Sequence, residues 1–172
     1  MPDDHDPALP ADHDPGSPAD HDPAAPARVP IPDHFGAVLA PEECFDALYG
    51  LELLEMGPDG DIARGRVRIR DELRQPTGLL HGGVISAVAE ALASWGTWQG
   101  AAGSGDAVMG MSNDTSFLRP LIDGHLNAVA RPRHRGRTRW LWEVQALDDE
   151  GRLCAITTVN IAIRPHRPPP AG

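Results

Sequence analysis

From Arg64 to Arg70 the chain alternates Arg with Gly65, Val67 and Ile69. A period of two predicts a strand with one buried and one solvated face. From Gly82 to about Trp98 the pattern changes to Ala, Val, Leu and Ile with few interruptions. This predicts a helix apolar nearly all round, which needs cover on every side. Before these elements, Pro41-Glu42-Glu43 predicts the start of a short helix through Leu48, ended by Gly50. Leu51 to Met56 follows as a strand, with a turn at Pro58-Asp59-Gly60. After the long helix the pattern predicts a loop over 100–106 and three or four strands. They run over Val108 to Leu118, His125 to Arg133, Thr138 to Leu147 and Leu153 to Ile163. Turn signals at Asp123-Gly124 and Asp149-Glu150-Gly151 separate them. A curved antiparallel sheet wrapped around the helix would supply its cover, an α+β arrangement.

The first 32 residues follow another rule. An eight-residue repeat starts at His5, His13 and His21, rich in Asp, Pro and Ala and poor in large apolar residues. Such a segment buries too little surface to offset its ordering entropy, so a disordered tail is expected. Flexible His-Asp pairs could hold a metal, but only weakly without a folded site. The tail contributes seven acids against Arg28, hence six of the ten net negative charges. A domain over 33–165 and a Pro-rich end over 166–172 complete the expected organisation.

All fifteen basic residues are Arg, which excludes Schiff-base and P-loop lysine chemistry. Cys44 and Cys154 are too few for a disulfide framework. No signal-peptide pattern and no membrane-length apolar run is present, so a cytoplasmic protein is expected, away from membranes. Global acidity argues against non-specific nucleic-acid binding.

The chemistry concentrates between Gln75 and Ser94. Glu90 is a carboxylate on an otherwise apolar helix, costly to bury without a partner or a purpose. Gly82 and Gly83 offer backbone N–H groups at a helix start, where developing negative charge is favoured. Such groups can form an oxyanion hole. Glu90 could serve as general base or as nucleophile. Ser94, one turn on, could hold a water, and Gln75 and His81 could contact the carbonyl or leaving group. Each has a plainer alternative: a polar loop residue, a generic turn, helix filler. Gly82 and Glu90 lie eight residues apart, roughly 12 Å along a helix. One chain cannot easily bring both to one small centre, whereas two antiparallel copies could.

The run Gln75-Pro76-x-Gly78-x-x-His81-Gly82-Gly83-x6-Glu90-x3-Ser94 resembles the active-site signature of hotdog-fold acyl-CoA thioesterases. The similarity is greatest to the branch of phenylacetate-pathway, Arthrobacter-type 4-hydroxybenzoyl-CoA and 1,4-dihydroxy-2-naphthoyl-CoA thioesterases. It extends over about residues 36 to 164, through Phe117-Leu118-Arg119-Pro120, His134-x-Gly136-Arg137 and Gly151-Arg152-Leu153-Cys154. The resemblance implies a hotdog fold, assembled as a dimer or a dimer of dimers (a tetramer), with no metal or redox cofactor. It implies Glu90 as catalytic carboxylate and Gly82 as donor to the thioester carbonyl. Gln75 and His81 would assist beside Gly82, opposite the partner's Glu90, and Ser94 would orient the water. Gly83, Gly110, Phe117, Arg119 and His134 are expected along the bound substrate. Phe117 stands where some relatives hold a His, so the aryl pocket can differ.

Arg131, Arg133, Arg135, Arg137 and Arg139 crowd one strand and turn. They suit a solvated face, nucleic acid or, given the resemblance, coenzyme A phosphates, with Arg137, Arg139 and Arg119 as contacts. The expected reaction is hydrolysis of an acyl- or aroyl-CoA. The rivals are a hotdog dehydratase or hydratase and a non-catalytic acyl-CoA-binding module. A Ser hydrolase is excluded, since no Gly-x-Ser-x-Gly elbow is present.

Overall fold

The computed structural model describes residues 43–101 and 106–165. The octapeptide tail, Pro41-Glu42, most of the expected 100–106 loop and the Pro-rich end lie outside the described residues. A short helix α1 (Phe45–Tyr49) precedes strands β1 (Leu51–Met56) and β2 (Ala63–Arg68). A single 3-10 turn at Asp71–Leu73 leads to the long helix α2 (Gly82–Ala101). Four strands follow: β3 (Ala107–Phe117), β4 (His125–Arg135), β5 (Arg139–Leu147) and β6 (Leu153–Arg164). They form one antiparallel six-stranded sheet in the order β1-β2-β4-β5-β6-β3. This is the hotdog arrangement, one long helix against a sheet of antiparallel strands.

The alternation works as expected in β2. Ala63, Gly65 and Val67 are buried, while Arg64 and Arg66 face outward and pair with Glu55 and Glu52 at 2.8 and 2.7 Å. Gly65 suits this close approach, since a Cβ would press on Leu51, the Glu52 carbonyl and Leu92 at about 3 Å. Arg70 leaves the pattern: its guanidinium donates to the Leu48 and Tyr49 carbonyls at 2.6 and 3.0 Å. It thereby satisfies the open C-terminal end of α1, beyond which Gly50 adopts a left-handed φ of 78°. Helix α1 itself starts at Phe45, later than the Pro41-Glu42-Glu43 signal implied.

The helix corrects one expectation. α2 is not covered on all sides. Ile85, Val88, Ala89, Leu92, Ala93, Gly96 and Thr97 are buried against the sheet. Glu90 is exposed, and Ser86, Ala87, Ala91 and Ser94 are only half-buried. Alanine-rich composition suited either arrangement, so it could not distinguish a wrapped helix from one with an open flank. On the covered flank the fit is close. The Trp142 indole donates to Thr97 Oγ1 at 2.8 Å, and Thr97 donates to the Ala93 carbonyl at 2.8 Å. A Cβ on Gly96 would lie 2.4 Å from the Trp142 ring.

Candidate active site

The loop before α2 is pinned by backbone bonds. His81 N–H donates to the Leu73 carbonyl and Leu80 N–H to the Leu121 carbonyl, both at 2.8 Å. Gln75 opens the turn, accepting from Gly78 N–H at 2.8 Å, and its side chain is half-buried.

At the start of α2 the first N–H groups have no intrahelical partner. Val84 N–H reaches the His81 carbonyl at 2.9 Å, and Gly83 N–H donates to His81 Nδ1 at 3.0 Å. The Gly82 N–H makes no hydrogen bond among the described residues. This pattern fixes the imidazole: Nδ1 accepts, so neutral His81 carries its proton on Nε2. The Phe117 ring stands over Gly82, where a Cβ would lie 2.7 Å from Cζ. Phe117 is 59% exposed, so it shields this helix end rather than filling the core. Gly82 therefore offers an unshared donor beneath an aromatic ring, at the positive end of a twenty-residue helix.

Glu90 lies two turns further on. Its carboxylate rests against Gly110 of β3, where a Cβ would come within 2.5 Å of Oε1. Gly82, Ser86, Glu90 and Ser94 succeed one another at intervals of four, so they share one face of α2. That face follows β3: Gly82 meets Phe117, Ser86 meets Thr115 and Glu90 meets Gly110. The sequence signal for the stripe was its spacing, yet Ser86, Asn113, Thr115 and Thr157 were not anticipated. Gly82 and Glu90 remain separated along the helix within the chain.

A groove of about 650 Å³ opens beside His81 and Gly83, between α1 and the start of α2. Phe45, Leu48, Tyr49, Leu73 and Val84 give it apolar walls, with Arg70 and Glu72 also lining it. Burial pushes the Tyr49 phenol far above its ordinary range, helped by a 2.5 Å hydrogen bond donated to Asp46. Tyr49 is therefore a neutral wall of the groove, with its hydroxyl proton engaged by Asp46.

The arginines do not converge in one chain. Arg119 follows Phe117 at the Gly82 end of the sheet and donates to the Leu153 carbonyl at 3.2 Å. Arg137 and Arg139 sit at the β4–β5 turn, near the other end of α2, where Trp140 meets Gly100. Arg133 pairs with Glu143 at 2.6 Å, and Arg135 reaches the Asp59 carbonyl and stacks 4.3 Å above Trp140. Arg137 and Arg139 are exposed and make no ion pair among the described residues. His134 folds back on the turn, with Nε2 2.7 Å from a Cβ built on Gly136. Trp95 and Trp98 stack edge to face on α2 at 6.2 Å, away from Phe117 in sequence. Among the described residues no three His, Cys, Asp or Glu side chains gather as a metal site requires. No described helix is long and apolar enough to cross a membrane.

An antiparallel sheet against one long helix defines a hotdog protein, and one stripe of that helix carries an unshared backbone N–H at Gly82 and a carboxylate at Glu90. Residues 77–155 match the family model described as the thioesterase superfamily. The Mycobacterium tuberculosis protein Rv1847, which carries an esterase name, is 40% identical over 126 residues, covering 72% of this chain and 89% of that protein. Its solved structure aligns with a TM-score of 0.67 at 39% identity, covering 72% of this chain and 98% of that one. The proofreading thioesterase EntH of Cronobacter turicensis is 31% identical over 66% of this chain and 81% of its own length. The chain belongs to the thioesterase superfamily and is a hydrolase of that kind.

Proposed function

We propose that the protein hydrolyses an acyl-CoA thioester, with an aromatic acyl group favoured, in a site completed by two copies of the chain. The observation that carries this reading is the unshared Gly82 N–H at the start of α2, with exposed Glu90 two turns along the same stripe. The thioester carbonyl accepts from Gly82 N–H, which stabilises the oxyanion as it forms. His81 Nε2–H and Gln75 assist from the same subunit. Glu90 of the partner subunit faces this carbonyl, either drawing a proton from water or attacking directly, with Ser94 orienting the water. No metal or redox cofactor is needed; coenzyme A enters as part of the substrate. The apolar groove between α1 and α2 suits the acyl or pantetheine chain, and Phe117 over Gly82 suits a flat acyl group.

The character of β3 supports this assembly. β3 is an edge strand of eleven residues with Met109, Met111 and Phe117 exposed, and exposed Leu118 follows it directly. Pairing with a second β3 about a two-fold sets the helices antiparallel and side by side. Gly110 marks the level of Glu90 and Phe117 the level of Gly82. A two-fold near Asn113 and Asp114 would bring Glu90 opposite the partner's Gly82. It would also let exposed Arg137 and Arg139 approach the end of a substrate held by the other subunit, where coenzyme A phosphates need cations. Further pairing into a dimer of dimers belongs to the same reading.

A panel of aliphatic and aromatic acyl-CoAs, with free thiol followed by a chromogenic reagent, tests this. Thiol release distinguishes hydrolysis from the dehydratase or hydratase alternative, which leaves the thioester intact. Glu90→Ala is expected to lower turnover by about a hundredfold or more. Unchanged turnover in that variant contradicts the mechanism, and binding without turnover in the wild type would indicate a non-catalytic acyl-CoA-binding module.

A further inference from the structure

A closed ring of hydrogen bonds joins α2 to β3 midway between Gly82 and Glu90. Thr115 Oγ1 lies 3.0 Å from Ser86 Oγ, 3.2 Å from Asn113 Oδ1 and 2.9 Å from Thr157 Oγ1. Asn113 Nδ2 donates to the Ser86 carbonyl at 2.8 Å. A hydroxyl has one hydrogen and two lone pairs, so three contacts saturate it. The amide oxygen of Asn113 can only accept, so the Thr115 proton goes there. Ser86 and buried Thr157 must then both donate to Thr115. The ring has a single direction: Ser86 to Thr115, Thr115 to Asn113, Asn113 back to the Ser86 carbonyl.

Two consequences follow. The Ser86 proton is committed, so Ser86 presents only lone pairs to the stripe and is a poor candidate for nucleophile or oxyanion donor. The Ser86 carbonyl is also the acceptor that the helix assigns to the Glu90 N–H. Asn113 therefore clamps the turn of α2 that carries Glu90 onto the strand that carries Gly110.

We infer that Asn113 and Thr115 are positioning residues, which fix the Glu90 turn against β3 so that the carboxylate meets the carbonyl held by the other subunit. This role rests on the shared-site thioesterase reading above. Misplacing a reacting group by a fraction of its working distance costs rate without weakening binding elsewhere on a long substrate.

The test compares Thr115→Val, which removes the hydroxyl, with Thr115→Ser, which keeps it. Asn113→Leu is the second variant, since it leaves the Thr115–Thr157 bond intact if Thr115→Val folds poorly. On the best acyl-CoA of the panel, Thr115→Val and Asn113→Leu are expected to lower kcat about tenfold with KM within about twofold. Thr115→Ser should restore most of kcat, and the Glu90 amide should exchange hydrogen faster in the two broken variants. Wild-type kcat in Asn113→Leu, or a loss that Thr115→Ser shares in full, overturns the positioning role alone. A wild-type protein that cleaves no thioester overturns the functional reading, and this role with it.

Discussion

The two edges of the sheet are built on opposite plans. β1 is six residues long, irregular between Leu53 and Glu55, and covered by charge: Glu52 and Glu55 pair with Arg66 and Arg64. β3 is eleven residues long and exposes Met109 and Met111, the latter at 57%, with Phe117 and Leu118 at its end. Both carry a bulge, β3 near Met111, so irregularity alone does not separate them. Length and side-chain character do. A short charged edge resists another strand, whereas a long edge with apolar side chains invites one. The inviting edge is also the one that runs beside Gly82, Ser86 and Glu90.

The sharpest way to break this contrast is to put a charge on β3. Met111→Glu is expected to convert dimers to monomers in light scattering and to lower thioester cleavage by about a hundredfold or more, as loss of the partner's base implies. Glu55→Ala at the β1 edge should change neither, since exposed ion pairs contribute little. A smaller effect is expected on the flank of α2 that belongs to neither edge. Gly96→Ala drives a methyl into the Trp142 ring and should destabilise the fold by about 1–3 kcal/mol in thermal denaturation. Turnover per folded molecule should hold.

The smallest effect lies at the β5–β6 turn. Burial works against the Asp149 carboxylate, but hydrogen bonds from Asn127 and His125 outweigh it and hold its pKa below the ordinary value. A depressed folded pKa stabilises the fold above the unfolded value, about 3.9, and that stabilisation is lost as pH falls through the folded value. Asp149→Asn should therefore be slightly less stable than wild type at neutral pH. The difference should close as pH drops below about 4, as followed by urea titration at several pH values.

Much of the fold was legible because its strands obey period two and its turns carry Gly. β1 was read to the residue, and α2 was read from its first residue, Gly82. The open flank of α2 was not legible. Ala87 and Ala91 suit a helix under a sheet as well as one left half-exposed, so composition could not decide between them. Which strands form the edges was equally hidden, because strand order depends on pairings across long stretches of chain. At the site, the residues from Gln75 to Ser94 stood out through spacing and residue type. The ring of Ser86, Asn113, Thr115 and Thr157 did not, since hydroxyl and amide groups on separate elements give no local pattern. The arginines were legible as a cluster, but only the topology shows that Arg119 lies at the opposite end of the sheet from Arg137 and Arg139.

Subunit complementation tests the shared site most directly. Glu90→Ala removes one half-site. Gly82→Pro removes the other, since proline is tolerated at the first position of a helix and has no N–H, and the exposed Phe117 ring must swing aside to admit it. Each variant alone should lose about a hundredfold in turnover or more. Unfolded together and refolded as an equal mixture, half of the dimers are mixed and each mixed dimer holds one intact site. The account predicts recovery to about a quarter of wild-type turnover. Activity in the mixture no higher than the mean of the two variants would contradict it, because Glu90 and Gly82 would then have to act within one chain.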